Sequence, residues 1–245
     1  DQATVTVNII DDVDPFWTST LPGDATVSCD NVPQAPTLTA GDICSTVIVD
    51  YNQTIQAGNC QGNYTIIRTW TATDASGNSI VYTQTITVQD LTAPTFVENL
   101  PTDVTVECSA VPTAPTLTAT DNCDAAPAIT YNDVTAASEN CSQEYTITRT
   151  WSAQDACGNT SSCVQTITVD DSTKPVITCP ANITIECTAI TLPGNTGEAT
   201  ASDNCDMSPE IGYADVTSSL PSCAQEYTIT RTWTATDDCG NTKTC

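Results

Sequence analysis

Two residue types in this chain have the number and the placement to do chemistry: cysteine and aspartate. Fourteen cysteines recur at matching places in repeated segments rather than in the close pairs that hold zinc. Their expected chemistry is the disulfide, formed in an oxidising compartment. Thirty acidic residues stand against five basic ones, for a net charge of -25. Carboxylates gathered on turns are the donor set of a hard cation, and calcium is the candidate cofactor. Catalysis lacks its parts: there is no histidine, no nucleophile elbow and no phosphate-cradling glycine loop, so the stretch is read as non-enzymatic. The charge also argues against nucleic acid or an anionic membrane as partner. No apolar run reaches the roughly eighteen residues of a membrane span, so no membrane insertion is expected here.

The elements that position these residues are written three times. YTIIRTWTATDASGN begins at Tyr64, YTITRTWSAQDACGN at Tyr145 and YTITRTWTATDDCGN at Tyr227. The period is about eighty residues, the size of one small all-β domain. Threonine and valine with proline and glycine punctuation predict a β-sandwich. In the second copy, Thr95 to Glu98 and Val104 to Cys108 read as a split first strand, Thr116 to Ala119 as the second and Ala128 to Thr135 as the third. The long strand is Tyr145 to Asp155, with Tyr145, Ile147, Arg149, Trp151 and Ala153 on the core face. After a turn at Gly158 and Asn159, Cys163 to Val169 closes the sandwich.

Acidic, proline-ended linkers finish at Pro15, Pro94 and Pro175. They are short and stiff, so neighbouring modules are expected nearly end to end. The expected divisions are 1–11 as the closing strand of a preceding module, then immunoglobulin-like modules at 12–90, 91–171 and 172–245, the last with a truncated closing strand. The chain therefore reads as a window on a longer array whose nearest partners are its own neighbouring modules. A lone N-terminal strand, Ala3 to Ile9, could also complete a neighbouring chain's sheet.

The opening KPVITCPANITIEC from Lys174, the middle ATASDNC ending at Cys205 and the closing RTWTATDDCGNTKTC ending at Cys245 resemble, in combination, hyalin-type (HYR-like) repeats. These are immunoglobulin-like sandwiches common in very long surface proteins of marine and gliding bacteria, of Bacteroidota type. The resemblance covers nearly the whole chain and implies an extracellular, secreted, adhesive or structural array. Module one departs most, with Ser76 where Cys157 and Cys239 stand.

The family implies a bond from the opening-strand cysteine to the start of the closing strand, here Cys179 to Cys245. Module two has Glu98 and Cys163 at those places, and module one Ser19 and Tyr82. Sandwich topology brings the loop after the second strand and the last hairpin to one pole, pairing Cys123 with Cys157 and Cys205 with Cys239. The opposite pole pairs Cys29 with Cys60, Cys108 with Cys141 and Cys187 with Cys223. Other connectivities stay open, first among them Cys108 with Cys157. Cys44 and Cys163 are left over, either as intermolecular crosslinks in a filament or, the favoured reading, as buried thiols whose partners were lost.

The same topology gathers acids at three joints. Asp11, Asp12 and Asp14 meet Asp42 and Asp74 at the first; Asp90 meets Asp121 and Asp155 at the second; Asp170 and Asp171 meet Asp203, Asp237 and Asp238 at the third. Calcium there would stiffen the array. The competing reading is that aspartate stands at turns because its side chain mimics a turn of backbone. The repeated arginine, Arg68, Arg149 or Arg231, is expected to lay its stem beside tryptophan and to meet an internal acid such as Asp133 or Asp215. Sequons occur at Asn52, Asn63, Asn140, Asn159 and Asn182. Two functions follow as expectations. One is a structural rod or homo-oligomeric filament of a cell surface or appendage, projecting for adhesion. The other is a repeat that itself grips a surface glycan or protein, with Phe16 and Trp17 as the candidate contacts.

Overall fold

The computed structural model describes residues 2–139, 141–219 and 226–245. Cys223 and Asn140, named above, lie outside the described residues. The chain is all-β, with tandem sandwich-like domains. Its helical content among the described residues is a 3₁₀ turn at Cys108–Ala110 and one turn at Pro193–Thr196.

The first repeat contains β1 (Phe16–Trp17), β2 (Ala25–Val27), β3 (Ala40–Gly41), β4 (Val47–Ala57), β5 (Tyr64–Asp74) and β6 (Ser79–Val88). One sheet runs β2-β6-β5-β4, and β1 pairs with β3 in a second. The first strand is thus split between the two sheets, its second half lying parallel to β6 with Val27 opposite Val88. The second repeat copies this order as β7 (Thr95–Phe96), β8 (Val104–Val106), β9 (Ala119–Thr120), β10 (Ala128–Ala137), β11 (Tyr145–Gln154) and β12 (Thr160–Val169). Its sheets are β8-β12-β11-β10 and β7-β9. The closing strand starts at Thr160, ahead of the expected Cys163, because the turn at Gly158, φ 91°, is tight enough for pairing to resume at once. The third repeat has β13 (Val176–Thr178), β14 (Thr200–Ser202), β15 (Glu210–Ser219), β16 (Tyr227–Thr236) and β17 (Thr242–Thr244), in sheets β15-β16-β17 and β13-β14.

Two-residue alternation on the long strand makes the core. In β5 the residues Ile66, Arg68, Trp70, Ala72 and Asp74 are all buried, and in β11 Ile147, Arg149, Trp151 and Ala153 are. Ile66 packs with Ile86 and Val88 of the closing strand, with Val27, Val32 and Tyr64 around them. Ile147, Ile167 and Val169 repeat that cluster with Val104, Val106, Val111 and Tyr145.

An arginine inside such a core needs acceptors. Arg149 Nε donates to Asp133 at 3.3 Å, and Arg231 Nε and Nη2 donate to the two Asp215 oxygens at 2.8 Å each. The guanidinium of Arg231 also lies 4.7 Å from the Tyr213 ring centre and 5.8 Å from that of Trp233. Its bonds to Asp215, with burial opposing them, hold that carboxyl below the usual range. Arg68 differs because its cross-strand partner is Gln53. It donates to Gln53 at 3.3 Å and to the Pro33 carbonyl at 2.6 Å.

The chain forms two compact units. One holds residues 1–98, 117–130 and 152–162; the other holds 99–116, 131–151 and 163–245. The passage from the first repeat into the second lies inside the first unit, and that from the second into the third lies inside the second.

Candidate functional site

Each passage is held by two disulfides that run from one repeat to the next. In the first unit, Cys29, just past β2, bonds Cys123 in the loop after β9, with Cα atoms 5.8 Å apart. Cys60, in the loop entering β5, bonds Cys157 on the hairpin after β11, Cα atoms 5.1 Å apart. The second unit repeats both links as Cys108–Cys205 and Cys141–Cys239, with Cα distances of 5.7 and 4.9 Å.

This corrects the within-repeat pairing of Cys29 with Cys60, Cys108 with Cys141, Cys123 with Cys157 and Cys205 with Cys239, and the alternative of Cys108 with Cys157. The poles carry the expected cysteines, but each pole bonds the opposite pole of the adjoining repeat, which a short linker brings within disulfide reach. Cys179 and Cys245 are bonded within the third repeat. Cys187 is free and exposed, so its expected bond to Cys223 is not among those described. Cys44 is free and exposed rather than buried, and Cys163 is free and half-buried.

Hairpin chemistry explains how the linker is gripped. Asp155 sits at the end of the long strand, where one carboxylate oxygen accepts from the backbone N–H groups of Cys157 and Asn159, both at 2.8 Å. The other accepts from the Asn159 side chain at 2.7 Å, and that same amide donates to the Asp90 carbonyl of the linker at 3.2 Å. The hairpin of the next repeat thereby reads the linker that leads into it. Asp74, Asn78 and Asp11 reproduce the arrangement at the first joint, with Asn78 Nδ2 3.2 Å from the Asp11 carbonyl. At the third, Asn241 Nδ2 donates to the Asp171 carbonyl at 2.9 Å.

Other residues at the second joint fit closely. The Asp90 N–H donates to Asn63 Oδ1 at 2.7 Å. A Cβ on Gly62 would meet the Asp90 Cβ at 2.6 Å and the Cys123 Cβ at 3.1 Å, so this close approach requires glycine. Asn122 Nδ2 reaches the Ser28 hydroxyl at 3.2 Å beside the Cys29–Cys123 bond.

The loop after the second strand holds its cysteine in one way three times. Asp42 Oδ1 accepts from the Cys44 and Ser45 N–H groups at 2.7 and 2.9 Å. Asp121 does the same for Cys123 and Asp124, and Asp203 for Cys205 and Asp206.

Among the named acids, the structure separates three groups by their surroundings. Asp12, Asp14, Asp170 and Asp238 are exposed, and Asp238 bonds Ser142 at 3.1 Å and Gln143 at 3.4 Å instead of joining a cluster. Asp74 and Asp155 have both oxygens taken by hairpin donors. Burial pushes their carboxyls up, but the Asn78 and Asn159 bonds with the turn N–H groups outweigh it and leave both below the usual range. Asp171, Asp203 and Asp237 place one carboxylate oxygen each within 4.8 Å of one another. In all three the Oδ2 atom is buried without a hydrogen-bond partner among the described residues. Asp171 is 4 % and Asp237 5 % exposed. Burial first, then the negative charges of Asp203, Asp237 and Glu107, raises the Asp171 carboxyl above its ordinary value. Burial likewise raises Asp90, with Asp121, Asp155 and Asp124 adding to it.

Asp11 and Asp42 group with Cys44, and Asp90 and Asp121 with Cys123. A disulfide sulfur such as that of Cys123 is no metal ligand, so the second joint offers two carboxylates where the third offers three.

The family model of the HYR-like domain with 4 cysteines matches residues 17–88 and 96–169. The chain belongs to this family. No curated protein matches it. The HYR-like chain is similar to solved cadherin structures at low identity. Drosophila N-cadherin EC1-4 shows 15% identity and a TM-score of 0.28, over 65% of this chain and 50% of that one. The protocadherin GammaB4 extracellular domain shows 15% and 0.36, over 96% and 48%. Mouse cadherin-23 EC22-24 shows 14% and 0.35, over 95% and 97%. The chain spans about half the length of the first two. No helix among the described residues is long and apolar enough to cross a membrane.

The sequence marked the cysteines and the acids, but not Gly62, Asn78, Asn241, Ser142 or Gln143. Asn63 stood out only as a sequon, and Asn159 as a sequon and a turn residue. The signal for the asparagines was present in the repeated D-x-x-G-N of the hairpin, where the Asn follows the Asp by four residues.

Proposed function

We propose that this chain is an extracellular, non-enzymatic segment of a long bacterial cell-surface protein, built from the HYR-like modules 12–90, 91–171 and 172–245. It serves as a stapled rod or filament that projects for adhesion. The observation that carries the reading is the direction of the disulfides: among the described residues, four of the five bonds join successive repeats, so they resist separation of modules under tension rather than only securing each core. Supporting it, the hairpin asparagine grips the linker at every joint, and the disulfide chemistry suits an oxidising, extracellular setting.

In this reading calcium binds at the third joint through Asp171, Asp203 and Asp237. These offer only oxygen donors, and their charge is otherwise uncompensated. The ion would cancel that repulsion and tie the linker to the two loops of the following module. Adhesion to a glycan or protein on another surface is assigned to the array's reach. The alternative, that the repeats themselves bind, rests on Phe16, which is half exposed on β1.

Pulling a single chain by its ends tests the rod. With the described bonds intact, the shortest covalent path through the staples, by way of Cys29–Cys123 and Cys141–Cys239, contains about 55 residues and extends to roughly 190 Å; the reduced chain extends to roughly 800 Å. Equal extension with and without reductant would refute the reading.

A further inference from the structure

At the third joint, the residues that offer carboxylates to a cation are also the ones that seat the disulfide staples. Asp203 Oδ1 accepts from the N–H of Cys205 at 2.8 Å, and Asp237 Oδ1 accepts from the N–H of Cys239 at 3.0 Å. Each aspartate thus spends one oxygen on a staple cysteine two residues ahead. Its other oxygen, Oδ2, is buried with no partner among the described residues. The staples Cys108–Cys205 and Cys141–Cys239 then tie both loops to the preceding repeat.

The preceding repeat brings a carboxylate of its own. Glu107 stands between the end of β8 and Cys108, and it offers an oxygen within 4.8 Å of one on Asp171 and of the Cys205 sulfur. Its Oε1 accepts from the Ser172 hydroxyl at 2.6 Å and from the Ser172 N–H at 3.4 Å, which holds it against the linker. Its Oε2 is buried and, among the described residues, has no partner. With Asp171, 4 % exposed, Asp237, 5 % exposed, and Asp203, four carboxylates meet from three segments: the preceding repeat, the linker and the following repeat.

The second joint is a comparison built into the same chain. It has the same two staples, and Asp121 and Asp155 seat Cys123 and Cys157 in the same way. The β2–β6 register, however, puts Ser28 where the β8–β12 register puts Glu107, and Asn122 engages the Ser28 hydroxyl at 3.2 Å. Asp155 has also given its second oxygen to Asn159. The staples are common to both joints, but among the described residues the four carboxylates meet only at the third.

We propose that Glu107 is the preceding repeat's ligand to the calcium of the third joint, and that the Cys108–Cys205 bond gates this site, with tight binding when it is closed and weak binding when it is reduced. The gate rests on the calcium reading above, to which it adds a ligand and a redox control. Calcium takes six to eight oxygens, a number that four carboxylates reach with backbone carbonyls or water. Four carboxylates held together without an ion repel one another, and the staple keeps Glu107 beside the loop of Asp203. Reduction removes that restraint. A thiolate of an added dithiol attacks one sulfur, the S–S bond breaks, Cys108 and Cys205 gain two electrons and two protons as thiols, and the dithiol leaves as its own disulfide. The turn with Glu107 and the loop with Asp203 can then part, and a binding ion must gather them again. By reciprocity, the factor that reduction removes from calcium affinity is the factor by which calcium protects the bond.

Calorimetric titration of the chelator-stripped 245-residue chain with calcium chloride tests this. Cys108→Ser with Cys205→Ser should weaken calcium binding by about 5- to 150-fold, the range of such couplings. The equivalent pair at the second joint, Cys29→Ser with Cys123→Ser, should leave it unchanged. Glu107→Gln, which keeps every staple, should weaken it at least about tenfold. In the parent, thiol trapping and mass spectrometry across a dithiol and disulfide buffer should show calcium lowering the potential at which Cys108–Cys205 opens, by about 30 mV for each tenfold of coupling, with Cys29–Cys123 unmoved. Absence of calcium binding in the parent overturns the calcium reading and the gate with it. Two other results leave that reading standing: unchanged affinity in Glu107→Gln removes Glu107 from the site, and a Cys108–Cys205 bond that opens alike with and without calcium overturns the gate, even where the serine pair fails to fold.

Discussion

A cut in the linker between the first two repeats separates the two ways of pairing the cysteines. A protease site inserted after Leu91, which is 79 % exposed, falls in a connection that tolerates insertion. Stability alone would discriminate poorly. Closing the chain from Cys29 to Cys123, a separation of 94, contributes about 4.7 kcal/mol in the chain-entropy model. With that bond in place, Cys60–Cys157 closes a remaining loop of roughly 65 residues and adds about 4.3 kcal/mol. A within-repeat bond closing about thirty residues would contribute about 3.7 kcal/mol. The difference is at most about 1 kcal/mol per bond, too small for a melt to tell the two pairings apart.

Covalent connectivity has no such ambiguity. After cleavage, residues 1–91 and 92–245 should migrate together on a denaturing gel without reductant and separate once reduced. Removing either staple by a double serine variant, Cys29→Ser with Cys123→Ser or Cys60→Ser with Cys157→Ser, should leave the fragments joined. Removing both should part them. Separation of the cut parent chain before reductant is added would refute bonds between repeats.

Calcium added to chelator-stripped protein should raise the melting temperature, by about 2.7 kcal/mol of stability at a hundredfold excess over Kd. Asp237→Asn should abolish the rise in calorimetry, while Asp121→Asn should not. Without calcium, the raised Asp171 carboxyl contributes stability that is complete below the ordinary carboxylate range and lost as pH rises through its elevated pKa. Melts from about pH 3 to 7 should therefore show Asp171→Asn gaining on the parent as pH rises. Asp155 has the opposite sign: its contribution is present above the ordinary value and lost as pH falls through the lowered one, so Asp155→Asn should flatten the acid limb of the same profile. Asn159→Ala removes the bonds to Asp155 and to the linker carbonyl, and should cost about 1–3 kcal/mol in urea unfolding.

The core was legible because it is local: alternation along YTITRTW assigns Ile147, Arg149, Trp151 and Ala153 to one face wherever the strand is placed. The internal acid for arginine was legible for the same reason, since Asp133 and Asp215 lie on the adjoining strand, and Arg68 departs because Gln53 replaces the acid. The Cys179–Cys245 bond followed from the family resemblance, but the disulfides between repeats were not legible, because a repeat suggests a self-contained unit and hides bonds made at separations of 94 to 98, just over one period. Ser76 held the missing signal. Within one repeat its lack of sulfur would strand Cys44; between repeats it breaks no bond of this chain, because its partner would belong to a module before it.

The acids show where composition stops being informative. The three joints carry near-identical hairpins, and the sequence ranked them alike, yet they differ in who takes the second carboxylate oxygen. At Asp74 and Asp155 the asparagine amide takes it, so the aspartate is spent on the turn and on the linker. At Asp237 the Asn241 amide goes to the Asp171 carbonyl alone, and among the described residues the second oxygen has no partner beside those of Asp171 and Asp203. One hydrogen bond of difference thus separates an aspartate whose two oxygens are both spent on the hairpin from one with an oxygen to spare. The turn explanation thus accounts for both carboxylate oxygens at Asp74 and Asp155, while at Asp237 it accounts for one, and the calcium titration above tests what the other does.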